Sequence, residues 1–427
     1  KAAARDTQLS LHEERDAPGL GRVSVFRLRY TDSQELYFAA AGERLLVFTH
    51  PRMDLPTPET LGLWSDKAKS RFGRSKDTGV FSRIRESSED TAKHSITLSA
   101  SFLSFGYGAL FPALEAFKFR FDGNAWETWA LPEAGRRADS MDARAPWTAL
   151  PKSPSWCAAL PVDFNKAADM LRGAFPDKKT AIDSLAAILQ PPIAACWYPE
   201  SKLYTPLFAA RLSTAPSVEA LGELFERCVG GLEAGILTGE EKAMLLQQQR
   251  EREEGKEVEN PVKARRFEPP LEVLLQRGAH GALWSREVSS RYGIHESSRS
   301  AHADKMRSKR FFRVQLALKE GILLFSPDDR LMEKALSTVD KKYPPVADLL
   351  GKPDVGLVIY PGNAAELVKL SALESLPADQ ESLFRQGVSR RLFPSLDKLS
   401  AFPPYSLAMP DLRKSSWEKL EWRELRP

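Results

Sequence analysis

Apolar and polar residues alternate with period two over 23–30 (Val-Ser-Val-Phe-Arg-Leu-Arg-Tyr), the pattern of a strand with one buried face. Segments 35–40 and 44–49 then flank Gly42-Glu43 and predict a hairpin. The same plan returns at 312–318, a Lys319-Glu320-Gly321 turn and 322–327. Asp328-Asp329 follow, placed to cap a helix running to about Val339. A third alternating pair, Phe117-Lys-Phe-Arg-Phe121 and 126–131, closes through Asp122-Gly123. It follows a strand at 95–102 and a helix-like stretch at 109–117.

The pattern is duplicated. Cys157-Ala-Ala-Leu-Pro161, followed by a helical stretch, matches Gly356-Leu-Val-Ile-Tyr-Pro361, also followed by one. Downstream, Pro191-Pro192 before a strand is echoed by Pro403-Pro404 before another. Two landmarks kept in order at nearly the same spacing indicate a repeated fold. Strand–helix–strand units are expected at 93–131, 155–213 and 354–425, and strand–hairpin–helix units at 21–60 and 280–343. The first half lacks an opening module, which predicts one more unit upstream of Lys1. Hairpins imply antiparallel pairing, so the expected class is α+β: a duplicated two-lobe architecture of antiparallel sheets with helices packed on one face. The lobes are expected at 1–140 and 141–427, joined by a Pro-, Ala- and Arg-rich linker at 132–152.

Two segments interrupt the modules. A charged insertion at 238–270 contains a strong helix former at 240–254, and 285–313 reads as a basic loop with eight Lys or Arg against three acids. A loop of that length within a compact module points to function.

At 427 residues with 42% apolar and 28% charged side chains, the chain has enough apolar material for two or three cores. A net charge of +4 is too small to demand a polyanionic partner. No apolar run reaches the roughly 18 residues of a membrane span. Cys157, Cys196 and Cys228 lack metal-ligand spacing and read first as small buried side chains. A Cys157–Cys196 disulfide stays open in an oxidising compartment, since both lie in strands of one repeat unit.

Recognisable chemistry is missing. There is no phosphate-binding glycine loop, no GxSxG elbow and no HExxH pair. His295 and His302 could share a helix face, but two ligands do not make a metal site, so neither metal nor cofactor is expected. Only 285–313, with Tyr292, Phe311 and Phe312, approaches a nucleic-acid-binding composition, and the two phenylalanines are better read as opening a strand, so no nucleic acid partner is expected. Trp126, Trp129, Trp417 and Trp422 suit cross-strand packing better than ligand stacking.

The phrases Leu36-Tyr-Phe-Ala-Ala-Ala-Gly-Glu-Arg-Leu-Leu-Val-Phe48, Ser201-Lys-Leu-Tyr-Thr-Pro-Leu-Phe208, Glu287-Val-Ser-Ser-Arg-Tyr-Gly293 and Leu324-Phe-Ser-Pro-Asp-Asp-Arg-Leu331 resemble an uncharacterised family of bacterial envelope proteins. Its members are typically encoded beside a bacterial α2-macroglobulin-like protein. The resemblance implies a periplasmic protein tethered to the inner membrane by an anchor upstream of Lys1. It carries no catalytic residues across.

Pattern and resemblance together predict a non-catalytic scaffold that contacts the α2-macroglobulin-like protein and neighbouring envelope proteins. Arg286, Arg291, Tyr292, His295 and Arg299 are the expected partner-binding residues, and charge reversal at the three arginines is expected to weaken binding without unfolding the chain. The rivals are an envelope hydrolase whose site is assembled from distant residues and a small-ligand carrier with an apolar cavity.

Overall fold

The computed structural model describes residues 9–17, 21–29, 35–41, 44–48, 94–99, 114–122, 125–133, 143–174, 179–214, 216–230, 272–278, 281–350, 355–376, 383–408 and 416–425. The chain packs as two units, Lys1–Glu89 with Val368–Asp397, and Asp90–Leu367 with Lys398–Pro427. This division differs from the expected boundary near residue 140. The 94–132 strands join a sheet that recruits residues 418–420, which holds that region with the second half of the chain.

In the first unit, β1 (Leu9–Ala17), β2 (Gly21–Arg29), β3 (Glu35–Ala41) and β4 (Arg44–Phe48) form an antiparallel meander. Val25 and Leu28 of β2 are both buried, but at a spacing of three they point to opposite faces of the strand, so burial departs from the single buried face that the alternation predicts.

The second unit opens with β5 (His94–Ser99), β6 (Leu114–Asp122) and β7 (Ala125–Pro132). Residues 114–117, expected as the end of a helix, are strand: Phe117 pairs with Leu98 on one side and Ala130 on the other. Residues 109–113 lie outside the described set. The large sheet begins with α1 (Arg144–Ala149), β8 (Trp156–Leu160), α2 (Phe164–Ala174), α3 (Lys179–Ile188), β9 (Leu189–Trp197) and β10 (Leu207–Leu212). Helix α4 (218–230) leads to β11 (Leu274–Gly278), β12 (Gly281–Ser289), β13 (His295–Glu296), β14 (Arg310–Lys319), β15 (Ile322–Ser326) and α5 (Asp329–Val339). Next come β16 (Val355–Ile359) and α6 (Pro361–Ser375), whose residues from Val368 on are grouped with the first unit, and then β17 (Tyr405–Ala408), β18 (Glu418–Leu420) and β19 (Trp422–Glu424).

All pairings among the described strands are antiparallel, in keeping with the α+β class. The eleven-stranded sheet runs β11-β12-β14-β15-β10-β9-β8-β16-β17-β19, with β13 added beside β14. The sequence repeat becomes a physical one at its centre. Aligning Pro161 with Pro361 makes Cys157 equivalent to Leu357 and Ala158 to Val358, and these are the residues that pair crosswise: Cys157 with Val358, Ala158 with Leu357. Such a register is what a local two-fold axis between the copies requires. Asp163 starts α2 by accepting from Lys166 N, whereas Pro361 itself opens α6, where its missing N–H removes no helical bond.

Residues 143–152 of the expected linker are packed structure, and 134–142 lie outside the described residues. Trp147 of α1 is 1% exposed and donates from Nε1 to Val355 O at 3.2 Å. It joins Leu150, Leu324, Leu331, Met332 and Val358 in the main core, because α1 and α5 supply the apolar faces that cover the sheet centre. A second core forms where Leu221, Phe225 and Val229 of α4 pack on Trp284, Val288, Phe312 and Val314. Leu283, between the α4-facing residues Ala282 and Trp284, packs against the main core, so β12 is covered on both sides. A smaller cluster joins Leu114 and Ala130 to Leu407 and Leu420. Trp126 stacks on Trp422 at 4.9 Å between ring centres, and Lys118 lies 4.7 Å over Trp417, so these aromatics pack as expected.

Candidate functional site

The 285–313 segment is mostly framework. Residues 285–289 continue β12 and 310–313 open β14, leaving an excursion of 290–309 that carries β13 and two short 3-10 turns. The excursion is pinned at its base. Ser290 N donates to Arg310 O at 3.1 Å, Ser297 N to Lys309 O at 2.9 Å, and the buried Ser289 hydroxyl accepts from the backbone of Arg307 and Ser308. Gly293 turns tightly over β14: a Cβ there would meet Phe311 N at 2.3 Å, so only glycine fits.

A charge network ties this excursion to α5. Arg313 of β14 lies directly opposite Glu287 of β12, and its guanidinium reaches Glu287 Oε1 at 3.1 Å and Asp329 Oδ2 at 2.7 Å. The other oxygen of Asp329 meets His295 Nε2 at 2.7 Å, and Ser300 donates to the other oxygen of Glu287. His295 also packs on Phe311, 5.2 Å between ring centres. Burial works to lower the Arg313 pKa, but its hydrogen bonds to Glu287 and Asp329 outweigh that and raise it. The cation is therefore permanent, and it is shared by two carboxylates. The neighbouring carboxylate has a different task. Asp328 is fully buried, caps α5 by accepting from Arg330 N at 3.1 Å, and holds the Arg330 guanidinium at 2.7 Å. Arg330 is raised by that hydrogen bond against burial.

The expected partner-binding residues separate. Arg291, Tyr292 and Arg299 are exposed, on the excursion. His295 is half-buried and held by Asp329. Arg286 does not reach the surface: it is 1% exposed, under α4, and its Nη1 donates to Glu226 O at 3.3 Å. The reason is strand period, since Arg286 follows Ala282 and Trp284 and precedes Val288 on the face that α4 covers. Charge reversal there would break a core, and Arg286 is withdrawn from the contact set. The charged helix expected at 240–254 lies outside the described residues.

Sequence reading missed Glu287, Arg313 and Asp329 as a group, because they are spread over three elements. One signal was available: Glu287 and the Asp328-Asp329 pair both fall within the phrases that carry the family resemblance. It also missed Tyr204. The β9–β10 turn places Tyr204 beside the excursion, where its hydroxyl donates to Tyr292 O at 3.1 Å.

The three cysteines have resolved roles. Cys157 and Cys196 lie directly opposite each other on β8 and β9 and form a disulfide that is fully buried in the main core. Cys228 is free, and burial pushes its thiol pKa up, away from the reactive thiolate. Among the described residues, no cluster of His, Cys, Asp or Glu could hold a metal ion. No described helix is long and apolar enough to cross a membrane.

No solved structure matches the chain. The Escherichia coli (strain K12) protein described as "Uncharacterized protein YfaA" is 30% identical, over 99% of this chain and 71% of that protein. A family described as "Uncharacterized protein conserved in bacteria (DUF2138)" matches residues 1–266 and 262–422. With both matches spanning nearly its whole length, the chain belongs to the bacterial DUF2138 family.

Proposed function

We propose that this protein is a non-catalytic interaction component of a bacterial envelope complex, and that it displays the 290–309 excursion to a protein partner. The observation that carries this reading is the excursion's construction. Its base is fixed by Ser289, Glu287 and Asp329, while Arg291, Tyr292 and Arg299 face solvent. A preorganised surface loses little entropy on binding, and exposed Arg and Tyr are the side chains that interfaces favour. Glu287 and Asp329 are engaged in holding the loop.

The buried Cys157–Cys196 disulfide supports an oxidising compartment, which for a bacterial protein of this kind is the periplasm. The family resemblance favours an α2-macroglobulin-like protein as the partner. The test is a binding titration against that protein from the same organism, at low and high salt, with wild type and the Arg291→Glu/Arg299→Glu variant. Saturable binding that salt weakens, and that falls roughly tenfold or more in the variant at unchanged melting temperature, is expected. Equal affinities of wild type and variant would remove the excursion as the contact.

A further inference from the structure

The described sheets end in six strands: β1 and β4, β11 and β19, β18 and β5. Five of these carry charged residues, among them Asp16, Arg44, Arg277, Lys419 and Arg423. Charge on an open strand keeps it from pairing with another chain. β5 (His-Ser-Ile-Thr-Leu-Ser) has no Lys, Arg, Asp, Glu or Pro. Its inner side is paired with β6 from His94 opposite Phe121 to Ser99 opposite Ala116. No described strand takes up its outer side. Ser95, Ile96 and Thr97 are exposed, Ile96 at 53%, so water reaches both faces of β5.

This strand is complementary to itself. Residues 95–99, Ser-Ile-Thr-Leu-Ser, read alike in polarity from either end. An antiparallel second copy centred on Thr97 sets threonine opposite threonine, Ile96 opposite Leu98 and Ser95 opposite Ser99. A two-fold axis normal to the sheet keeps equivalent faces on one side, so apolar residues meet apolar ones. Charge does not oppose this pairing. On β6, Lys118 lies opposite Thr97 and Arg120 opposite Ser95. Lys118 is 7% exposed and lies 4.7 Å from the Trp417 ring centre, and Arg120 meets Glu127 at 3.4 Å. Glu115 and Asp122 of β6 fall beyond the two ends of β5 in register. With strands about 4.8 Å apart, the β6 strands of two copies would stand about 14 Å apart, outside the roughly 8 Å screening length at physiological salt.

We propose that β5 is a self-association edge: a second copy of this chain pairs with it antiparallel about Thr97 and joins two four-stranded sheets into one. Backbone hydrogen bonds across the edge supply the affinity, and the symmetric, uncharged pattern selects the chain's own copy. So short a pairing belongs to the weak class of interfaces, with a dissociation constant between about 1 and 100 µM. The contact does not depend on the 290–309 excursion or on the partner proposed for it.

The experiment is sedimentation velocity of the full chain up to about 500 µM, well above the expected dissociation constant. It compares wild type, Thr97→Lys, Thr97→Glu and an equal mixture of the two variants. Wild type is expected to pass from monomer to dimer as concentration rises. Each variant alone places like charges opposite each other on the axis, and association should weaken roughly tenfold or more at wild-type melting temperature. The mixture places Lys opposite Glu and should dimerise again. Wild type that stays monomeric throughout overturns the proposal and leaves the edge to a strand of another protein. A dimer unaffected by either variant, or growth beyond dimers, overturns it too. A mixture that stays monomeric overturns the register about Thr97, and with it the proposal. The wild-type titration decides the matter even where a variant folds poorly.

Discussion

Arg313 Nη1 lies 2.7 Å from Asp329 Oδ2, joining a central strand of the large sheet to the first residue of the helix that covers it. Because the same guanidinium also holds Glu287, one cation fixes the position of two carboxylates, and each carboxylate holds a residue of the excursion.

Replacing Arg313 by Met leaves two largely buried carboxylates facing each other without a counter-charge. The expected loss is about 1–3 kcal/mol, below the figure for a fully buried pair because Arg313 is partly open to water. Urea unfolding of wild type and variant measures it. A midpoint unchanged from wild type would show that the network adds nothing to stability.

Arg286 and Arg291 are separated by five positions in sequence but belong to different environments. Arg286→Glu places a shorter side chain of opposite charge under α4, beside the Glu226 carbonyl, and should destabilise by about 3–5 kcal/mol. Arg291→Glu should leave the melting temperature within error of wild type. Thermal unfolding of the two single variants decides the assignment, and equal melting temperatures would contradict the burial of Arg286.

The Cys157–Cys196 bridge closes a loop with a sequence separation of 39. Chain-entropy arguments give about 4 kcal/mol for such a loop, so the Cys157→Ala/Cys196→Ala variant should unfold well below wild type. Thiol titration of the unreduced, denatured chain should find one reactive group, Cys228, and three after reduction. Three thiols before reduction would remove both the bridge and its support for an oxidising compartment.

Glu127 has its pKa lowered, first by its hydrogen bond from Lys419 and next by that from Trp129. A depressed folded-state pKa contributes stability above the ordinary carboxylate range, and that contribution disappears as pH falls through the folded value. Lys419→Met should therefore be less stable than wild type at neutral pH, and the difference should close in acid. Asp340, lowered by Lys319, has the same sign. Parallel unfolding curves over the acid range test this, and a gap that widens on acidification would reverse it.

Local pattern was a reliable guide wherever a single strand or turn decided the outcome. The 312–326 hairpin closes through Glu320 and Gly321, both with positive φ, and Asp328 caps α5, because these choices depend on neighbours within a few residues. Segment 114–117 went the other way. Its apolar run suits a helix, but pairing with both β5 and β7 makes it part of an interior strand of its sheet.

The sequence by itself determined the class, the duplicated strand–proline–helix plan and the exposed character of Arg291, Tyr292 and Arg299. These follow from short-range periodicity and from turn residues. Tertiary structure alone decided that the two repeat strands lie side by side, that Arg286 faces α4, and that Glu287, Arg313 and Asp329 share one network with His295. It also brought Tyr204 to Tyr292 across 88 residues of chain. These outcomes depend on sheet order and on which face each helix covers, and both are set by long-range burial that no local window contains.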